Sequence, residues 1–374
     1  MVATINKIEG MKHSPETSVG IVGGGQLARM LVLKGHEMGL TMRVLSKSPE
    51  DPAAQVCAGW VKGEPTSRRD LASFFRKVDV VTFESEFYSG KLFADISKQT
   101  KTKVRPSPRV MGILQDRLSQ KRLFNKYGIP TSEFESVTDP KAAFERLGPC
   151  VFKTRMGGYD GYGTFVVKRE SDLLGLKVAP MIAEKFVPFK AELAISLVRG
   201  SNGDVTVLPL VQTHQEDSRC RWVKGPVKHR ALAPLVARLK RMLVAEKYEG
   251  ICAFELFDTG RELLVNEAAP RVHNSAHYSL DALDEDQFTL HLKAVIGAPL
   301  PKTVSAAAKG FAMWNLLGTK TTDASWRYPT GVHLHWYGKK GNRPGRKMGH
   351  INAVGKTPTW ALAAAKRGAK EIRL

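Results

Sequence analysis

Two stretches of this sequence combine residue types and spacings suited to phosphate chemistry. The first is Lys153-Thr-Arg-Met-Gly-Gly-Tyr-Asp-Gly-Tyr-Gly163, a lysine followed by four glycines between Gly157 and Gly163. Glycines let a backbone close over phosphates because no side chain blocks the approach, and a lysine supplies the compensating charge. The pattern GxxxxGK[ST] is absent and a strand, not a helix, is expected next, so this is not a Walker loop. The second stretch holds Glu255, in Phe254-Glu-Leu-Phe257, and the pair Asn266-Glu267. Both lie in β-prone runs joined by the turn Asp258-Thr-Gly260, so hairpin pairing is expected to bring the two carboxylates together. Mg2+ takes hard oxygen donors of this kind, with phosphate oxygens and water completing its shell. Either acid alone reads as a solvent-facing hairpin residue, and a glycine loop alone as an ordinary turn. As a set they point to a phosphate and metal site.

A third motif, Gly23-x-Gly25-x-x-Ala28, follows a β-rich run and opens a helix, as the dinucleotide fingerprint does. That fingerprint needs an acid at the end of the second strand to hold the ribose, and Ser46 and Lys47 stand there, with Glu50 and Asp51 beyond in loop. The motif therefore reads as a tight turn whose amides suit any anion, not as an NAD site.

These residues need a frame. Strands are predicted at residues 18–22, 41–45 and 78–83, with a helix at 26–38. That alternation indicates a parallel α/β domain up to about residue 105. Two prolines in Val104-Arg-Pro-Ser-Pro108 mark a linker. Leu114, Leu118 and Leu123 recur at helical spacing and predict one helix over 109–127, ended by Gly128-Ile-Pro130. Further strands are predicted at 150–153, 164–168, 181–186, 192–199, 250–257 and 262–266, and a helix at 235–246. The tail is β-prone from Gly310, with Val332-His-Leu-His-Trp-Tyr337 alternating like a half-buried strand, and ends in an Ala-rich helix at 358–368. The expected division is a polar, flexible arm (1–17), an N-terminal α/β domain (18–105), a central domain (106–305) with a lid over about 131–200, and a small β-rich domain (306–374).

Composition narrows the class. Of 374 residues, 43% are apolar and 25% charged, as in a globular protein. No apolar run approaches the roughly 18–20 residues that span a bilayer, and the polar N-terminus lacks the apolar core of a signal peptide. Cys57, Cys150, Cys220 and Cys252 show no CxxC spacing, which fits the reducing cytoplasm rather than a disulfide framework or structural zinc. The net charge is +21, with seven Lys/Arg and no acid in residues 221–243, and ten Lys/Arg against Glu371 alone in 338–374. Such charge also suits nucleic acid, but no helix-turn-helix, RNP or aromatic-basic motif accompanies it. Phosphorylated small molecules are the partners it favours, with neither nucleic acid nor membrane.

With Glu184-Lys-Phe-Val187 and Glu192 added, the lysine, glycine loop and paired acids follow the order of the ATP-grasp superfamily. More narrowly, the chain resembles its N5-carboxyaminoimidazole ribonucleotide synthetase family over about residues 18–355. The closer match rests on Val22-Gly-Gly-Gly-Gln-Leu27, Gln115-Asp-Arg-Leu118, Gly158-Tyr-Asp-Gly161 and Asn266-Glu-Ala-Ala-Pro-Arg-Val-His-Asn-Ser275. In the tail it rests on residues 332–337 and on Arg343-Pro-Gly-Arg-Lys-Met-Gly-His350. The resemblance implies an α/β ATP-grasp fold with a parallel pre-ATP-grasp domain and a small C-terminal β-rich domain. It implies a homodimeric ligase of purine biosynthesis. ATP phosphorylates bicarbonate, and the resulting carboxyphosphate carboxylates the exocyclic amine of 5-aminoimidazole ribonucleotide.

Roles follow from the resemblance. Glu184, Lys185, Phe186 and Val187 would take the adenine and Glu192 the ribose. Arg117, Lys153 and His214 would contact the nucleotide, and Gly158, Tyr159, Asp160, Gly161, Tyr162, Gly163 and Thr164 would close over its phosphates. Glu255 and Glu267, with Asn266 alongside, would hold Mg2+, or Mn2+ in its place. Tyr159, Asp160, Arg271, His273 and Asn274 would surround the reacting centre. Gln26, Leu27 and Glu86 would reach in from the first domain, and Arg346 and Lys347 would bind the ribonucleotide phosphate. Three positions depart from the family. Tyr162 replaces a usual Lys or Arg, Phe87 follows Glu84-Ser-Glu86 where Asn is usual, and Val211-Gln-Thr precedes His214 in place of Glu-Asn-x. Tyr162 and Phe87 keep open a paralogous ligase with another acceptor; the charge alone argues for a non-catalytic basic binding protein.

Overall fold

Alternating strands and helices open the computed structural model, which describes residues 17–158, 161–176, 179–319 and 324–374. The expected arm up to residue 16, and the site candidates Tyr159 and Asp160, lie outside the described residues. In chain order come β1 (Ser18–Val22), α1 (Gln26–Glu37), β2 (Thr41–Ser46), β3 (Gly59–Lys62), α2 (Arg68–Phe75), β4 (Val80–Phe83), α3 (Gly90–Thr100) and β5 (Lys103–Val104). The strands form a parallel sheet in the order β3-β2-β1-β4-β5. All four residues of β4 are buried, the pattern of a parallel strand covered on both faces. Strand order reverses between β1 and β4, and a crevice at such a switch point, outside the carboxyl ends of the strands, is where ligands bind. The turn Gly23–Gln26 and the loop Glu84–Phe87 leave the sheet there.

The single helix predicted over 109–127 is two: α4 (Pro108–Gln115) and α5 (Arg117–Lys126). Asp116 between them is extended, at φ −93° and ψ 112°. Its carboxylate accepts from the amides of Leu118 (2.9 Å) and Ser119 (3.3 Å), which starts a new helix. Apolar spacing carries straight through this break, so periodicity alone hides it.

A small antiparallel sheet follows, from β6 (Phe134–Ser136), α6 (Pro140–Leu147), β7 (Cys150–Thr154), β8 (Thr164–Val167) and β9 (Met181–Lys185), in strand order β6-β9-β7-β8. Its own core holds Ala143, Leu147, Phe152 and Val167. Of the stretch 131–200 expected as a lid, residues 134–185 build this sheet, while β10 (Ala191–Arg199) belongs to the next one.

The chain continues through β11 (Val205–Val207), β12 (Val211–Glu216), β13 (Arg219–Gly225), α7 (Leu232–Ala245), β14 (Gly250–Asp258), β15 (Leu263–Ala269), α8 (Ser279–Ala282), α9 (Gln287–Ile296), β16 (Gly310–Leu317), β17 (Ser325–Trp326), β18 (His333–Trp336), β19 (Lys347–Gly355), α10 (Pro358–Lys370) and β20 (Ile372–Arg373), and most of these strands join β10 in one large sheet. Among the described residues it has nine strands, ordered β15-β14-β10-β12-β13-β16-β19-β18 with β11 on the edge of β10; β17 and β20 pair separately. The β-prone tail joins the central sheet through the pairing of β13 with β16. Helix α9 is buried on nearly every side, as an apolar helix must be. It lies in one hydrophobic core with Ile21 and Leu31 of the first unit and Ile251 and Phe311 of the large sheet.

Candidate active site

A cavity of about 640 Å³ opens where the first sheet, the small sheet and the large sheet meet. Each wall follows from local sequence. At the switch point, Gly25, Gln26 and Leu27 line it from the start of α1, and Glu84 to Phe87 line it from the end of β4. The carboxylate of Glu84 accepts from the amides of Gly25 (2.7 Å) and Ala28 (3.2 Å). An anion of the chain's own occupies the helix N-terminus where a dinucleotide would place its pyrophosphate, which explains why that fingerprint is not a cofactor site. Burial pushes the Glu84 carboxyl above its ordinary value. A Cβ on Gly23, at φ +107°, would lie 2.5 Å from Glu84 Cγ, so glycine is required there.

Glu86 crosses the crevice to Arg271, whose Nη2 donates to Oε1 at 3.0 Å and whose Nε donates to Oε2. Burial opposes the Glu86 charge, but the Arg271 fork overcomes it and holds the carboxyl below its ordinary range.

Beneath the glycine loop lies a buried charge network. Glu184 Oε2 accepts from Lys121 Nζ (2.7 Å) and from Ser132 Oγ (2.6 Å), and its Oε1 faces Lys153 Nζ at 2.9 Å. Lys153 in turn donates to Asn266 Oδ1 at 2.8 Å. Although burial disfavours the charge, Lys121 and Lys153 hold Glu184 well below the usual carboxylate range. Neither Lys121 nor Ser132 was a predicted site residue. Lys121 stands four residues after Arg117 on the same face of α5, a spacing that offered the signal. Arg117 anchors the start of the glycine loop, donating to the carbonyl oxygen of Thr154 (2.9 Å), and lies 3.5 Å from Glu267. Asp116, besides capping α5, pairs with Arg155 just before the loop.

The β14–β15 hairpin sets Glu255 directly opposite Glu267, next to a register shift between Glu255 and Leu256. Burial first, then repulsion from Glu267 and Glu192, push the Glu255 carboxyl well above its ordinary value. His273 Nε2 lies 3.6 Å from Glu255. Burial, with Arg271 and Lys347 nearby, lowers His273 to about 3, so this imidazole is neutral and adds no counter-charge. Two carboxylates crowded into one buried cavity, with Arg117 beside only one of them, fit a divalent metal. Among the described residues no three or more His, Cys, Asp or Glu group into a metal site, so phosphate oxygens and water would have to complete its shell.

Of the other candidates, Gly158, Gly161, Thr164, Lys185, Phe186, Val187, Glu192, Asn274 and Lys347 line the same cavity. Four do not. His214 is exposed and stacks on Trp222, ring centroids 5.0 Å apart, because strand alternation turns it to the opposite face from Thr213 and Gln215; Gln215 and Ser218 line the cavity instead. Tyr162 and Gly163 stay outside the lining, Tyr162 with 68% of its surface exposed. Arg346 turns back on its own turn, donating to the carbonyl oxygens of Gly341 (2.9 Å) and Lys340.

Comparison with known proteins agrees with this geometry. Residues 16–115 match the ribonucleotide synthetase preATP-grasp domain, residues 122–288 the ATP-grasp domain and residues 312–364 the phosphoribosylaminoimidazole carboxylase C-terminal domain. The N5-carboxyaminoimidazole ribonucleotide synthase of Synechococcus elongatus is 37% identical over 90% of this chain and 89% of its own. Phosphoribosylaminoimidazole carboxylase of Ogataea methanolica is 34% identical over 91% of this chain and 67% of its own. Among solved structures, N5-carboxyaminoimidazole synthetase from Staphylococcus aureus complexed with ADP superposes with a TM-score of 0.87, at 28% identity over 96% of this chain and 100% of that one. The Aspergillus clavatus N5-carboxyaminoimidazole synthase, in complex with ADP and 5-aminoimidazole ribonucleotide, gives 0.84, at 29% identity over 95% of this chain and 98% of that one.

Proposed function

The chain belongs to the N5-carboxyaminoimidazole ribonucleotide synthetase family of ATP-grasp ligases, and from that premise we propose how its cavity carboxylates 5-aminoimidazole ribonucleotide. The γ-phosphoryl group of ATP passes to an oxygen of bicarbonate, giving ADP and carboxyphosphate. The exocyclic amine then attacks the carboxyl carbon, the C–O bond to phosphate breaks, and the amine gives up a proton. N5-carboxyaminoimidazole ribonucleotide and phosphate result. Phosphoryl transfer asks for alignment and charge neutralisation rather than covalent help, and carboxyphosphate needs a site closed to water.

The adenine fits the strand end Glu184 to Val187, where Phe186 and Phe189 line the cavity. Lys153, held between Glu184 and Asn266, and Arg117 take the phosphates, with the loop 158–164, including Tyr159 and Asp160, as the cover. Glu255 and Glu267 would hold Mg2+, or Mn2+, with Asn266 beside them; bound there, the ion would neutralise the phosphate charge that develops in transfer. Gln26, Leu27, Glu86, Arg271, His273 and Asn274 form the acceptor end. Lys347 is assigned to the ribonucleotide 5′-phosphate, with Arg346 bracing its turn. The family resemblance supports a homodimer acting in the cytoplasm, and the four free thiols fit that compartment; sedimentation equilibrium tests the dimer. The three family matches support a division into residues 18–105, 106–305 and 306–374.

One observation carries this reading: Glu255 and Glu267 share a single cavity with Lys153, the glycine loop and both switch-point loops of the first sheet. The test is ADP release from Mg-ATP and bicarbonate, with and without 5-aminoimidazole ribonucleotide. Release that depends on the acceptor is expected. Phe87 on the cavity wall favours one second reading, a related ligase with a more apolar acceptor. ADP release indifferent to 5-aminoimidazole ribonucleotide would point there.

A further inference from the structure

A buried amide behind the cavity grips the segment that forms its acceptor wall. Residues 271–274 leave β15 and bring Arg271, His273 and Asn274 to the cavity. Gln287, the first residue of α9, is fully buried and does not line it. Its Oε1 accepts from the His273 amide at 2.8 Å, and its Nε2 donates to the His273 carbonyl oxygen at 3.0 Å. The same Nε2 lies 2.8 Å from Nδ1 of the buried His277. One side chain thus binds both backbone polar groups of His273, as a neighbouring antiparallel strand would, and uses both of its own amide hydrogens.

Gln287 is itself held in place. Asp286 caps α9 by accepting from the amides of Phe288 (2.8 Å) and Thr289 (3.1 Å), and the Gln287 amide donates to Ser279 Oγ at 3.0 Å. Because α9 is packed into the core shared by the first unit and the large sheet, the clamp starts from a rigid point. On its far side, the His273 ring has Nδ1 2.9 Å from Ser275 Oγ and Nε2 3.6 Å from Glu255. A shift of the His273 backbone would therefore move the imidazole against the wall that carries the acceptor.

We propose that Gln287 is a positioning residue for the transfer to the acceptor, acting through His273. This rests on the function assigned above. In the full chain, Gln287→Met keeps the side-chain length and removes all three interactions. The expected result is an acceptor-dependent kcat lowered roughly 10- to 100-fold with KM for ATP held within about twofold, the signature of a misplaced group rather than lost nucleotide binding. In a His273→Ala background, Gln287→Met adds no further loss, because the two changes remove one function. Losses that multiply in the double variant, or an unchanged kcat in the folded single variant, overturn the proposal. Should Gln287→Met fail to fold, Gln287→Glu keeps the size and one acceptor while losing both donors, and the same non-additivity with His273→Ala is required. Absence of acceptor-dependent turnover in the unaltered enzyme overturns the functional reading instead, so the two failures are told apart.

Discussion

Glu255 shows what a single residue costs and contributes here. Its carboxyl is raised by burial and by Glu267 and Glu192. A raised carboxyl carries no penalty below its ordinary value of 4.5, a growing one from there up to the raised value, and a constant one above it. Metal-free protein should therefore lose thermal stability as pH climbs from about 5 to about 8. Glu255→Gln removes the charge and keeps the shape. It should melt about 2–4 °C higher than the parent at the alkaline end and together with it at the acid end, while failing to release ADP. Melting curves across pH, without divalent ions, check the first point. Identical pH profiles for parent and variant would contradict the raised carboxyl, and retained turnover would contradict the metal assignment. Among neighbouring residues, the sequence marks Glu255 and Glu267 because their strands are sequential. It marks Lys121 only through its spacing from Arg117, and it does not mark Glu84 or Ser132, whose roles arise from partners distant in the chain or on another element.

The glycine loop is the element to which the proposed function assigns anion handling. Its base is tethered by Arg117 to the Thr154 carbonyl oxygen and flanked by the Asp116–Arg155 pair. Tyr162 stands exposed, at the position where the family resemblance leads to the expectation of a cation. Tyr162→Lys should lower KM for bicarbonate about three- to tenfold, the worth of one charge-assisted contact, with KM for ATP unchanged. An unaltered bicarbonate KM would mean that another element handles the anion. The break between α4 and α5 belongs to the same scale. A capping aspartate at its centre, Asp116, was the visible cue, but the unbroken spacing of Leu114, Leu118 and Leu123 masked it.

At the scale of the molecule, the net charge of +21 acts over the surface as a whole. The proposed substrates, bicarbonate, ATP and a ribonucleotide, would reach the cavity through that field, and a field steers anions until salt screens it. The value of kcat/KM for the ribonucleotide should fall steadily as NaCl is raised, with kcat nearly constant. A flat salt profile would show that the surface charge plays no part in substrate capture. The same scale explains the cohesion of the site: α9 shares one core with the first parallel unit and the large sheet, so walls contributed by three sheets keep a common reference.

What the sequence alone determined is chemistry that sits close together along the chain: the lysine and its glycine loop, the hairpin that pairs Glu255 with Glu267, and the strand–helix rhythm of the first unit. Spacing and residue type carry these because turns and hairpins are local. Only the tertiary structure decided the rest. It placed Glu84 at the start of α1, joined Glu86 to Arg271, gathered Lys121, Glu184 and Lys153 under the loop, turned His214 and Arg346 away from the cavity, and ran the tail strands into the central sheet. Each of these depends on which distant segments share a sheet edge or a switch point, and no local pattern of residues encodes that choice.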